Sequence, residues 1–125
     1  MSTTDSYAEA NNKIDAKKCA EFWDSSSDFV FNETGKEYAN WDSLYVDIKN
    51  WYSQPLDSVQ LIWKERNIKP LNHNAATLYS KFIFKAKYKS GLVYKSTASL
   101  TGILLKKDGR WKMTQGYNAI KIIKN

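Results

Sequence analysis

The stretch from Ala75 to Tyr117 limits this chain more than any other, because it reads as three long strands joined by two tight turns. In the first strand, Leu78, Ser80, Phe82, Phe84, Ala86 and Tyr88 alternate with Tyr79, Lys81, Ile83, Lys85, Lys87 and Lys89. A period of two with lysine on one side predicts a half-buried strand. The second strand, 93–105, is less polarised, so register must decide its faces. A three-residue loop, Ser90-Gly91-Leu92, sets Lys89 opposite Val93 and brings Phe84 to Ala98, Phe82 to Leu100, Ser80 to Gly102 and Leu78 to Leu104. A two-residue Ser90-Gly91 loop would set Phe84 against Thr97 and Lys81 against Leu100. The first register is preferred, since a one-residue slip turns a whole side-chain set to the wrong face.

Asp108-Gly109 predicts a two-residue hairpin turn, because both central positions of a type I′ turn need positive φ. It pairs Lys107 with Arg110, Leu104 with Met113, Gly102 with Gln115 and Leu100 with Tyr117. Three inner rows result: Leu78-Leu104-Met113, Ser80-Gly102-Gln115 and Phe82-Leu100-Tyr117. The middle row is small and polar, and Gly102 would leave space there for a ligand to approach the backbone.

A chain of 125 residues is expected to be one domain, residues 1–125. Such a chain buries about two thirds of its unfolded surface. No run of about 18 apolar residues is present, so no membrane span is expected, and no export signal is visible near the start. The expected location is therefore the soluble cytoplasm, or outside the cell if a leader was removed. The single Cys19 excludes an intramolecular disulfide and a cysteine-built metal site, and the single His73 makes no metal site alone. No cofactor or metal is implied. The net charge of +6 raises the question of nucleic acid. The strand lysines, however, lie opposite the aromatics, where stacking and phosphate contacts cannot share one surface. Neither nucleic acid nor membrane is an expected partner.

Upstream, residues 3–12 read as a helix, and Asp15 can cap a second one carrying Ala16, Cys19, Ala20 and Trp23 on one side. Cys19 has no base adjacent in sequence and reads as a small buried hydrophobe. Residues 28–32 form a short strand with Phe29 and Phe31 together. Glu33-Thr34-Gly35-Lys36 is a turn, and Asn40 caps a third helix. There Trp41, Leu44, Tyr45, Ile48, Trp51 and Tyr52 follow helical spacing. Val59, Leu61 and Trp63 begin another strand, whose phase blurs at Glu65 to Ile68 as at a bulge. Helices first and long antiparallel strands after predict an α+β fold, helices packed on one face of a bent sheet.

The elements Asn12-Lys13-Ile14-Asp15, Asp28-Phe29-Val30-Phe31 with Gly35-Lys36, and Leu100-Thr101-Gly102 leading into Lys107-Asp108-Gly109-Arg110-Trp111-Lys112 together resemble the nuclear transport factor 2-like superfamily. Within it they are similar to SnoaL-like and ketosteroid-isomerase-like domains, over nearly the whole chain. The resemblance implies a cone: a strongly bent, mixed or antiparallel cystatin-like sheet wrapped around the N-terminal helices. It also implies a pocket for a small apolar ligand and a homodimer. Many relatives carry histidine at the inward positions matching Gln115 and Tyr117, and here both are replaced.

General acid–base chemistry needs a titratable group in the pocket. The expected inner face offers Ser80, Gln115, Tyr88, Tyr94 and Tyr117 but no carboxylate or imidazole, so the leading reading is a non-catalytic cone that binds a small, mostly apolar molecule. Its walls would be Trp63, Phe82, Phe84, Leu100, Trp111 and Met113, with Ser80, Gln115 and Tyr117 orienting the ligand at Gly102. A cavity below about 150 Å³ would mean that these residues only fill the core. One alternative is an isomerase, cyclase or dehydratase acting on a small carbonyl compound. Its base would come from Asp28, Glu33, Glu37 or Glu65, and Glu65 is best placed if no bulge precedes it. The other alternative is an interaction module, with Thr97, Ser99, Thr101, Ile103, Leu105 and Thr114 at a dimer contact and Lys81, Lys85 and Lys87 at its rim.

Overall fold

The computed structural model describes residues 2–123. Two helices, α1 (Ser2–Asn12) and α2 (Ala16–Ala20), precede a β-hairpin of β1 (Val30–Glu33) and β2 (Lys36–Tyr38). Helix α3 (Trp41–Tyr52) follows, and then β3 (Leu56–Asn72), β4 (Ala75–Tyr88), β5 (Val93–Lys107) and β6 (Arg110–Ile122). The sheet order is β2-β1-β6-β5-β4-β3, antiparallel except where β1 runs parallel to β6. This is an α+β architecture with the helices on one face of a bent mixed sheet.

The helix boundaries follow from capping. Asp15 accepts a hydrogen bond from the Lys18 amide at 3.1 Å and opens α2. Asn40 and Ser43 form a reciprocal capping box at the start of α3. Between α1 and α2 the chain turns at Ile14, which takes φ 56°, while the Asp15 amide reaches back to the Ala10 carbonyl at 2.9 Å. A β-branched residue in this left-handed region carries backbone strain, held here by those bonds.

Both long hairpins form, with one difference each. The β4–β5 loop is Lys89-Ser90-Gly91, one residue earlier than expected, and Gly91 takes φ 94° while its amide donates to the Tyr88 carbonyl at 2.9 Å. Phe84 therefore faces Ser96, Phe82 faces Ala98, Ser80 faces Leu100 and Leu78 faces Gly102. The offset is two residues, so every side chain keeps its expected face. The turn needs its positive φ at the third loop position, and Gly91 is where glycine supplies it.

The β5–β6 hairpin turns at Asp108-Gly109 as expected, with φ 52° and 77°, and Leu104 faces Met113. The register then shifts between Ile103 and Leu104, leaving Thr114 as an extra residue on β6. Met113 and Thr114 are both buried, and the Thr114 hydroxyl donates to the Ile103 carbonyl at 3.2 Å. Beyond this bulge the phase of β6 inverts. Gly116, Asn118 and Ile120 face inward, while Gln115 and Tyr117 face out. The bulge sits where β6 changes neighbours. The Met113 amide donates to the Phe22 carbonyl and its own carbonyl accepts from the Asp24 amide, whereas residues 115–118 pair with β1.

A similar irregularity lies on β3, where Lys64 is extra between Trp63 and Glu65. Glu65 pairs with Lys81 on the outer face and is exposed. The core gathers Phe22, Trp23, Phe29 and Phe31 against Leu78, Leu100, Leu104 and Met113. Trp23 lies over Gly116, where an added Cβ would come within 3.2 Å of its ring. Among the described residues no helix is long and apolar enough to cross a membrane.

Candidate functional site

A cavity of about 580 Å³ lies between the inner face of the sheet and helices α1, α2 and α3. Its floor is Leu61, Phe82, Ala98 and Leu100, with Ser96 and Ile120 beside them. Trp51, Phe84 and Tyr94 make one side, their rings meeting edge-on at centroid distances of 5.4 to 6.2 Å. The lining is mostly apolar, and its polar groups fall into two sets.

The first set comes from β1, β2, β6 and α3. Glu33 and Asn118 are register partners in the parallel β1–β6 pair, so both side chains enter the cavity together. The Asn118 amide nitrogen donates to Glu33 Oε2 at 3.3 Å, and Asn118 Oδ1 is buried with no protein partner. Burial raises the Glu33 carboxyl above the ordinary carboxylate range, against the opposing pull of Asn118 and Lys36. Asp47, on α3, moves the other way: Lys36 Nζ at 2.6 Å holds it below its ordinary value. Tyr38 lies with this pair, and burial pushes its phenol upward. The two carboxyl groups in this wall are thus pushed in opposite directions, Glu33 toward its protonated form and Asp47 toward a fixed charge.

The second set comes from the helices. Tyr52 donates to Asn11 Oδ1, and Asn11 donates to the Tyr7 carbonyl at 2.8 Å. Burial pushes the Cys19 thiol up to about 12 and raises both tyrosines. A thiol so shifted is not a nucleophile at neutral pH. This wall supplies neutral hydrogen-bonding groups only. Among the described residues no three His, Cys, Asp or Glu side chains converge as metal ligands would.

Of the residues expected to line a pocket, Phe82, Phe84 and Leu100 do so. Ser80 is buried, but its hydroxyl is spent on the Leu100 carbonyl at 2.8 Å. Trp63 packs edge-on to Phe82 and donates its Nε1 to the Thr4 carbonyl at 3.0 Å, outside the cavity. Met113 is fully buried at the closed end of the cone. Trp111 lines a different hollow with Phe22 and Arg110. Gly102 offers no approach to a ligand: a Cβ there would lie 2.0 Å from the Gln115 carbonyl oxygen and 2.8 Å from Met113 Sδ. The bulged backbone of β6 already fills that space. Gln115 and Tyr117 stand on the outer face, so the expected Ser80-Gly102-Gln115 row does not form.

Of the polar wall of Glu33, Tyr38, Asp47 and Asn118, only Glu33 was among the bases considered from sequence, and it was not the favoured one. Part of it carried a signal. Glu33 continues the alternation of Phe29 and Phe31, and Asp47 lies in the inward stripe with Leu44, Ile48 and Trp51. Asn118 carried none, because its inward direction depends on the Thr114 bulge. Glu65, the base favoured from sequence, is turned outward by the bulge at Lys64.

Residues 1–118 match the SnoaL-like domain family. The chain belongs to that family. Solved structures agree on the fold. A nuclear transport factor 2 superfamily protein from Salmonella enterica aligns with a TM-score of 0.77 at 13% identity, over 99% of this chain and 88% of that one. A ketosteroid isomerase-like protein from Erwinia carotovora gives 0.72 at 16% identity, over 99% and 93%. An uncharacterized protein with a cystatin-like fold from Caulobacter vibrioides gives 0.71 at 15%, over 96% and 85%. No curated protein gives a significant match. The nuclear transport factor 2-like fold and the SnoaL-like family are thereby those that the sequence motifs resemble.

Proposed function

We propose that this SnoaL-like domain binds one small, mostly apolar molecule inside the cone, its polar end directed at Glu33, Asn118 and Tyr38. The supporting observation is the cavity itself: about 580 Å³, within the range that small ligands occupy, and mostly apolar, with two clusters of polar groups beside single ones such as Ser96 and Gln54. A ligand hydroxyl or carbonyl would meet a Glu33 carboxyl that carries its proton to higher pH than usual. Titration calorimetry with a panel of cyclic ketones and alcohols tests this. Binding that is lost in Ala98→Leu, which fills the floor, supports the proposal. No binding across the panel, or binding unchanged in Ala98→Leu, overturns it.

A second reading is favoured by one observation, the Glu33 carboxyl placed in the cavity wall beside Asn118. The expectation of a non-catalytic cone rested on an inner face without a carboxylate or imidazole, and β1 brings Glu33 there while the β6 bulge brings Asn118 beside it. In this reading Glu33 takes a proton next to a ligand carbonyl, whose oxygen is held by Tyr38. Solvent deuterium exchange into a bound ketone, present in the wild type and absent in Glu33→Gln, would support it. Equal exchange in both proteins would end it.

The homodimer implied by the family resemblance we place on the outer face around the row Tyr79-Thr101-Tyr117. Tyr79 and Tyr117 are 41% and 48% exposed there, with no lysine in the row, and Val30, 56% exposed, lies opposite Gln115 in the next row. Thr114, expected at such a contact, is buried inside the chain. Sedimentation of the wild type against Tyr79→Glu reads the outcome; a wild-type monomer at micromolar concentration removes the proposal.

A further inference from the structure

One end of the sheet carries positive charge and exposed aliphatic side chains together. The β4–β5 hairpin, residues 85–95, holds Lys85, Lys87, Lys89 and Lys95 and no acidic residue. Lys85 and Lys95 are direct cross-strand partners, a like-charge pairing that weakens a sheet. Lys121 lies one strand further, opposite Thr97. Among the described residues, none of these five lysines forms an ion pair; the exposed lysines that do so are on other parts of the surface. The exposed acidic side chain nearest in the pairing is Asp57, at the start of β3 between the partners of Tyr88 and Lys87.

Beside these lysines at the hairpin end stand Leu92 and Val93, exposed by 65% and 45%; Ile122, exposed by 54%, lies opposite Ser96 on the other face of the sheet. Among the described residues nothing covers them. They are held firmly rather than on a loose tip. The Tyr88 amide donates to the Leu92 carbonyl at 2.8 Å, the Lys89 amide to the Pro55 carbonyl at 2.9 Å, and the Ile123 amide to the Lys95 carbonyl at 2.8 Å. A purely solvated turn has no need of a leucine and a valine immediately after it, and an aqueous polyanion groove has no use for them.

We propose that this end of the sheet docks on the surface of a lipid bilayer carrying anionic headgroups. Leu92 and Val93 enter the boundary between headgroups and acyl chains, while the lysines lie in the phosphate layer with their stems along the apolar tip. Charge complementarity brings the chain to the surface, and the aliphatic pair distinguishes a bilayer from a soluble polyanion. The expectation of no membrane partner rested on the absence of a span, and surface docking needs none. The proposal is independent of what the cone holds.

Co-sedimentation of the full chain with vesicles tests it. Binding is expected to phosphatidylcholine vesicles containing about 30% phosphatidylserine and not to phosphatidylcholine alone, and it should weaken as salt is raised. Each lysine near the surface is worth about fivefold, so Lys87→Gln with Lys89→Gln should weaken binding about 25-fold. Leu92→Ser should weaken it about tenfold. These positions are exposed, and an unchanged thermal midpoint will show that the variants are folded. No binding of the wild type to the anionic vesicles overturns the proposal. So does binding that ignores Leu92→Ser and is displaced by duplex DNA, which would assign the lysines to nucleic acid.

Discussion

The two ends of the cone interior are built from the same strands, yet one is solid and the other hollow. At the closed end Ala76, Leu104 and Met113 form a row across β4, β5 and β6, and Phe22 and Trp23 cover it with almost no exposed surface. At the open end the corresponding rows are Ser80-Leu100-Asn118 and Phe82-Ala98-Ile120, and α3 stands over them across the cavity. The difference is not one of hydrophobicity, since both ends are largely apolar. It lies in what closes the layer. Close backbone approach at Gly102 and Gly116 lets Met113 and Trp23 fill one end, while the aromatic stripe of α3 and the small Ser96 and Ala98 leave the other unfilled.

The largest effect that would test this contrast is at the closed end. Gly102→Ala places a Cβ against backbone that cannot yield, and should cost about 3 kcal/mol in urea unfolding. A change below about 1 kcal/mol would show that the bulge is not fixed in place. A matched pair comes next. Ala76→Leu, in the filled row, should cost about 1–3 kcal/mol, whereas Ala98→Leu projects into the cavity and should cost less than about 1 kcal/mol. Equal costs would mean that the open end is filled after all.

A third test uses acid. Because burial raises the Glu33 carboxyl above its ordinary 4.5, the folded chain holds that proton longer than the unfolded chain. Its stabilising contribution is full below 4.5 and is lost as pH rises through the raised value. The stability of Glu33→Gln relative to wild type should therefore increase with pH across that window, the other groups cancelling in the difference. A pH-independent difference would place Glu33 in water. The smallest effect is expected outside the cone: Gln115→Ala should change stability by less than about 0.5 kcal/mol and leave ligand affinity alone. Asn118→Ala, three residues on, should weaken a bound ligand about tenfold.

Much of this arrangement could be read before any coordinates. Alternation in β4 set the inner face, and Asp108-Gly109 set the second hairpin as far as Met113. The misplacement of the first loop did no harm, because two residues is one full period of a strand. The misplacement at Thr114 reversed everything after it, since one residue is half a period. No local propensity announced that bulge. It answers to tertiary demands: Phe22 and Asp24 pair with Met113, and β1 then takes over the same edge. Ser80, Gly102 and Trp63 were assigned to a site for their chemistry, and their bonds or neighbours commit them elsewhere. Glu33 and Asp47 were legible by periodicity but carry charge, and charge reads as surface until a cavity is known.

The single extra residue on β6 also bears on how such a domain could change. Deleting Thr114 would leave every pair as it is, Ile103 opposite Gln115 and Leu100 opposite Asn118, whereas keeping Thr114 but pairing it evenly with Ile103 would carry Gln115 and Tyr117 indoors and send Asn118 out to solvent. Every other strand could stay where it is. Moving this one irregularity further along β6 would exchange the chemistry of the chamber wholesale, a larger jump than any substitution within it can make.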